Sequence, residues 1–177
     1  MFHSRLSIFI IYSRSSIIFL MEKMKKYIGF TKVALPHGWL GNMAPYSIYW
    51  NNRTWRTSEA LFQALRFDDE DIRDQICAEK SPMGAKFKAK ANREKMKVMP
   101  LSNQDFENME LCIKLKLDNH PKLRDLLKAT GDAILFEDVS ARARGNNLVW
   151  GAINLNGEEL VGENQLGKIW MKFRASL

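Results

Sequence analysis

The chain has 177 residues, 46% of them hydrophobic and 27% charged, a globular balance that fits one domain with a sizeable core. Cysteine occurs only at Cys77 and Cys112, and histidine only at His3, His37 and His120, which argues against a disulfide framework, a Cys- or His-based metal site and a serine-type triad. The formal charge of +7 suits an anionic partner such as a nucleotide, a phosphate ester or nucleic acid.

Met1–Leu20 is apolar, contains Arg5 and Arg14, and has no acid. It is interrupted by serines and by Arg14, is too short for a membrane span, and runs into Met21-Glu22-Lys23-Met24. Residues 1–20 therefore read as a non-native or disordered extension ahead of a start at Met21 or Met24, with an N-terminal anchor or a short packed element as alternatives. Residues 21–177 are expected to form the working domain. Its expected place is the cytoplasm, with no membrane partner, no metal and no cofactor.

Tyr27–Phe30 predicts a first strand, and Pro36-His37-Gly38 a loop. Ser47–Trp50 and Arg53–Arg56 flank Asn51-Asn52, which tolerate positive φ, so the stretch predicts a tight hairpin. Thr57 or Ser58 caps a helix with Leu61, Phe62 and Leu65 on one face. Asp68-Asp69-Glu70-Asp71 opens a second, seamed by Ile72 and Ile76. Ser81-Pro82 opens a third, with Met83 and Phe87 expected inward. Ser102 with Asp105 is a near capping box for a fourth, cored by Phe106, Met109 and Ile113. Asn119-His120-Pro121 starts a fifth, packed by Leu123, Leu126 and Leu127 and ended by Gly131. Ala133–Phe136 and Leu148–Trp150 predict strands. Asn164 caps a last helix with Leu166, Ile169, Trp170 and Phe173 inward. The result is an α+β, helix-dominated single domain with a small β-sheet.

Four segments carry candidate chemistry. In Thr54–Phe67, Glu59 sits in a first helical turn, a place that favours the charged carboxylate. A carboxylate there can stand beside a developing oxocarbenium ion and activate water. Arg56 and Arg66 are candidates for phosphate. From the local sequence alone, however, a first-turn glutamate reads first as good helix chemistry. Ser81–Lys95 holds Lys86, Lys88, Lys90, Arg93 and Lys95, either an anion-binding stretch or a solvated face. Arg93 is the chosen member, because guanidinium meets phosphate bidentately. Gly145–Gly167 contains five of the chain's ten glycines and reads as a loop, with Trp150 either stacking on a base or filling the core. In Leu126–Asp138, Glu137 follows an apolar strand and is expected at a pocket edge, whereas Asp132 reads as a turn residue.

Taken in order, GWLGNMAPYSI, TWRTSEALFQALRF, SPMGAKFKAKANR, HPKLRDLLKATGDAILFED and the pair WG and GENQLGKIWM resemble the NADAR superfamily of YbiA-like N-glycosidases. The likeness covers roughly residues 27–177. It implies a helix-rich α+β fold and hydrolysis of N-glycosidic bonds in early riboflavin-pathway intermediates, ribosylaminopyrimidine phosphates. It implies Glu59 as the central carboxylate, assisted by Glu137. Asn42, Arg56, Gln63, Arg93, Phe106, Trp150, Gly151, Asn164 and Gly167 are then the expected substrate-binding set. Arg56, Ala60, Phe106 and Ala152 depart from the family pattern, which has proline, histidine, tryptophan and often an acid there. The departures bear on substrate identity more than on reaction class. The implied partner is a small nucleotide-like molecule. The alternatives are an ADP-ribosyl hydrolase acting on ADP-ribosylated nucleobases, with nucleic acid as the carrier, and a module that binds ADP-ribose or nucleic acid without cleaving it.

Overall fold

A computed structural model describes residues 26–177, so the expectations for Met1–Leu20 lie outside the described residues. In chain order the elements are β1 (Tyr27–Phe30), β2 (Ile48–Trp50), β3 (Arg53–Trp55), α1 (Ser58–Ala64), α2 (Glu70–Ala78), α3 (Pro82–Ala91), α4 (Asn103–Asn119), α5 (Lys122–Lys128), β4 (Ile134–Glu137), α6 (Asn146–Trp150), β5 (Ile153–Leu155), β6 (Glu159–Val161) and α7 (Gln165–Ala175). The α+β, helix-dominated reading holds. The strands form three separate two-stranded ladders rather than one sheet.

The ladder that matters for the site is β1 with β4. It is parallel, pairing Tyr27 with Ile134 and Phe30 with Glu137. Parallel pairing needs a long crossover, and here five helices lie between the two strands. Glu137 is the last residue of β4, so it sits at the carboxyl end of parallel strands, where open α/β sheets commonly bind ligands. The β2–β3 hairpin turns on Asn51 and Asn52, both at positive φ (50° and 57°), as the sequence predicts.

Helix α1 lies at the centre. All seven of its residues are buried, including Ser58, Glu59 and Gln63. It packs against α2, α3 and α4. Around it stand the fully buried Trp55, Phe67, Leu40, Ile76, Ile113 and Trp170. Burying each such large side chain is worth about 1.5–3 kcal/mol, enough to hold a short polar-bearing helix inside.

Several expectations change. Met83 and Phe87 point outward, 42% and 63% exposed, and α3 instead buries Ala85 and Ala89. Small residues let α3 approach α1 closely, which two larger side chains would prevent. In α5, Leu123 and Leu127 are buried but Leu126 is 46% exposed. Leu148–Trp150 is helical, not extended: the Gly151 N–H donates to Asn147 O at 2.8 Å. A three-residue apolar run does not distinguish the two states. Part of the expected glycine loop is the β5–β6 hairpin, turned by Asn156 and Gly157 at positive φ. Ser102 caps α4 by accepting from the Asp105 N–H, but the Asp105 carboxylate does not return to the Ser102 backbone to complete a capping box. Among the described residues no helix is long and apolar enough to cross a membrane.

Candidate active site

The first turn of α1 is fixed from two sides. Thr57 Oγ1 accepts from the Ala60 N–H at 3.2 Å, and Asn42 O accepts from the Glu59 N–H at 3.0 Å. These contacts satisfy backbone donors that a helix start leaves unpaired. Asn42 is tied in turn to α4, its Nδ2 donating to Met109 Sδ at 3.1 Å. Its Oδ1 is buried and has no partner.

Glu59 is only 5% exposed. Its Oε1 accepts from Gln63 Nε2 at 2.9 Å, one helical turn on. Gln63 Oε1 accepts from Arg66 Nη1 at 2.9 Å. Arg66 Nε and Nη2 grip both oxygens of Asp105, at 2.8 and 2.9 Å. This buried chain leaves Gln63 one orientation, with its amide nitrogen toward Glu59. The carboxylate is therefore preorganised as an acceptor. Lys86, reaching in from α3, puts Nζ 3.8 Å from Glu59 Oε1.

Glu137 completes the polar group. Arg142 Nη2 donates to its Oε1 at 2.5 Å. Burial raises the Glu137 carboxyl above the usual range. Arg142 opposes that shift, the charge of Glu59 adds to it, and Lys86 opposes it. Two carboxylates and two cations thus share one electrostatic environment, the kind of arrangement found at reactive sites.

An aromatic wall stands beside them. Trp150 meets Phe62 edge to face at 5.5 Å and Phe106 at 5.2 Å, while the Arg66 guanidinium lies 4.4 Å from the Phe62 ring centre. Gly151 brings Trp150 to the end of β4. A Cβ there would sit 2.5 Å from Glu137 O and 2.7 Å from Val139 Cγ1, so no larger residue fits. The next residue locks the approach, its N–H donating to Glu137 O at 2.9 Å.

The remaining expected residues stand elsewhere. Arg56 is exposed and near Cys77, whose thiol is pushed up by burial and drawn down less by the charges of Arg53 and Arg56. Arg93 is exposed in a short 3-10 turn after α3. Asn164 and Gly167 join α7 to β4: Asn164 Nδ2 donates to Leu135 O at 2.8 Å, and a Cβ on Gly167 would fall 2.1 Å from the same oxygen. Asn164 occupies the N-cap position but does not cap with its side chain. Arg66, expected to meet phosphate, is instead committed to Asp105 and Gln63.

Three participants were not singled out in the sequence. Lys86 reads as one of a basic run, Asp105 reads as a cap, and Arg142 lies in a segment with no motif. A surface cavity of about 520 Å³ between β1 and α5, lined by Tyr27, His37 and Trp39 among others, contains none of the site's carboxylates.

The NADAR domain family model matches residues 18–177. The chain is 32% identical to the N-glycosidase YbiA of Escherichia coli (strain K12) over 152 residues, 85% of this chain and 88% of that one. It is 27% identical to an N-glycosidase of Nostoc punctiforme, over 85% of this chain and 92% of the relative. It is 30% identical to a riboflavin biosynthesis protein of Vibrio vulnificus, over 80% of this chain but 36% of that longer protein. The NMR structure of E. coli YbiA superposes with a TM-score of 0.65 at 30% identity, covering 86% of this chain and 85% of that one. With a family match across nearly the whole chain and a shared fold, the protein belongs to the NADAR domain family.

Proposed function

We propose that this N-glycosidase-type hydrolase cleaves the C1′–N bond of a ribosylated, nucleotide-like molecule, such as a ribosylaminopyrimidine phosphate of the riboflavin pathway. The observation that carries the reading is the buried Glu59, aimed by Gln63 and standing with Glu137 beside the Trp150–Phe106 wall. The names of the relatives, N-glycosidase and riboflavin biosynthesis protein, support the same class.

In the proposed reaction the base rests against Trp150 and Phe106. As the C1′–N bond lengthens, positive charge grows on the sugar, and the Glu59 carboxylate stabilises it. A water adds to C1′ and gives its proton to Glu59. The bonding pair leaves with the nitrogen, which takes on the proton that Glu59 received from the water, so the carboxylate is regenerated and the products are a free amine and a ribose phosphate with an anomeric hydroxyl. Glu137, whose carboxyl is held above its usual range, assists by holding the water or the ribose hydroxyls. Lys86 and Arg142 offer the nearest cations for phosphate.

A second reading has one observation in its favour. Lys90, Arg93 and Lys95 continue outward from Lys86 along an exposed basic edge, which suits ADP-ribose attached to a nucleobase, carried by a nucleotide or by nucleic acid. One experiment tests both: release of free base from ribosylaminopyrimidine phosphate and from ADP-ribosylated nucleobase, by the native chain and by Glu59→Gln. Turnover of the first substrate, reduced by about 10²–10⁴ in the variant, is expected. Full turnover by Glu59→Gln refutes the assignment of the carboxylate, and turnover of the second substrate alone favours the second reading.

A further inference from the structure

We infer that Lys116, near the C-terminal end of α4, is a positioning residue for Glu59. Four successive carbonyl groups between Gly38 and the site carry the inference. Trp39 O accepts from Lys116 Nζ at 2.5 Å, Leu40 O from Trp170 Nε1 at 2.9 Å, Gly41 O from Lys116 Nζ at 3.1 Å, and Asn42 O from the Glu59 N–H at 3.0 Å. One short turn therefore takes three hydrogen bonds from α4 and α7 and makes a fourth with the residue at the centre of the site. Met109, seven positions before Lys116 and so on the same face of α4, holds the Asn42 side chain.

The chemistry of Lys116 is hard to explain otherwise. It is 0% exposed, and among the described residues no carboxylate pairs with it. The rings of Tyr46 and Trp170 lie 5.0 and 5.5 Å from its Nζ. Burial pushes its amine down to about 7. An unpaired buried lysine is costly, and a methionine would fill the same space without that cost. What methionine lacks is a donor for the carbonyls of an irregular turn. An amine keeps donors in both protonation states, so the clamp survives the loss of charge.

The inference rests on Glu59 being the reacting carboxylate only in its kinetic arm. The structural arm needs no substrate: amide hydrogen exchange of the full chain, followed by NMR well below the melting temperature. The exchange rate at the Glu59 N–H is compared with that at Ile113, within α4, in the native chain, in Lys116→Met and in Trp170→Phe. Trp170→Phe removes one donor to the same turn, its loss of core volume being read at Ile113, and carries the test if Lys116→Met does not fold. Expected is a rise in the Glu59-to-Ile113 ratio of about tenfold or more, since the turn opens locally. A role confined to general stability speeds both amides together, and an unchanged ratio in a folded variant overturns the inference. In the kinetic arm, kcat should fall with KM nearly constant. If kcat falls while the exchange ratio stays constant, Lys116 acts otherwise and the positioning role is refuted. If the native chain hydrolyses no ribosyl substrate, the proposed reaction fails while the exchange ratio still decides the role of Lys116.

Discussion

Replacing Asp105 by asparagine tests the buried chain behind Glu59. The change keeps side-chain shape and removes one charge. Asp105 is 0% and Arg66 8% exposed, and two hydrogen bonds of 2.8 and 2.9 Å join them. Asp105 also accepts from the Leu101 N–H at 2.9 Å, where the chain sits at positive φ. Removing one member of such a pair leaves a buried charge uncompensated, a cost of about 3–5 kcal/mol. Because asparagine still offers one acceptor, the lower end applies, about 3 kcal/mol. For a domain of this size that lowers the melting temperature by roughly 6–12 °C. The assay is thermal and urea unfolding of the native chain, of Asp105→Asn, and of the double variant Arg66→Met with Asp105→Leu. Apolar replacement of both partners is expected to recover part of the loss, because no buried charge remains, although the Leu101 N–H and Gln63 Oε1 are left without partners. It should not return turnover, because Gln63 has lost the donor that turns its amide toward Glu59. A loss of less than about 1 kcal/mol in Asp105→Asn refutes the claim that this pair is a closed, desolvated unit.

Three further outcomes are expected. Gly167→Ala places a Cβ 2.1 Å from Leu135 O, so α7 must shift from β4, at a cost of about 1–3 kcal/mol measurable by urea unfolding. Phe87→Ala, at a residue 63% exposed, changes stability by about 0.5 kcal/mol or less; a loss of core size would return Phe87 to the interior. Lys116 has a folded value of about 7 against an ordinary 10.5, so between these values the unfolded chain binds the extra proton. Stability from this group therefore rises with pH from about 7 to 10, by up to about 1.4 kcal/mol per pH unit. Comparing the native pH–stability curve with that of Lys116→Met isolates it from the phenol of Tyr46, which faces the same amine. Equal slopes in the two proteins would contradict it.

Local rules in the sequence determine much of this protein. The Asn51-Asn52 turn, the Thr57, Ser81 and Ser102 caps, the Asp69 start of α2 and the positive-φ Gly131 all depend on a few neighbouring residues, and each occurs as read. The ordered motifs also reach the family. Tertiary structure decided which faces turn inward and which distant groups meet. Met83 and Phe87 have the spacing of a buried seam, but α3 lies so close to α1 that only Ala85 and Ala89 fit between them. Leu148–Trp150 has the composition of a strand, yet among the described residues no strand pairs with it, and it is helical. Arg66 reads as a phosphate ligand, but Asp105, 39 residues away, holds its guanidinium. Lys86 and Arg93 are alike as sequence, and only the position of α3 separates the cation beside Glu59 from the one in solvent. Caps and turns are short-range hydrogen bonds, whereas charge pairing and burial depend on contacts across the whole chain.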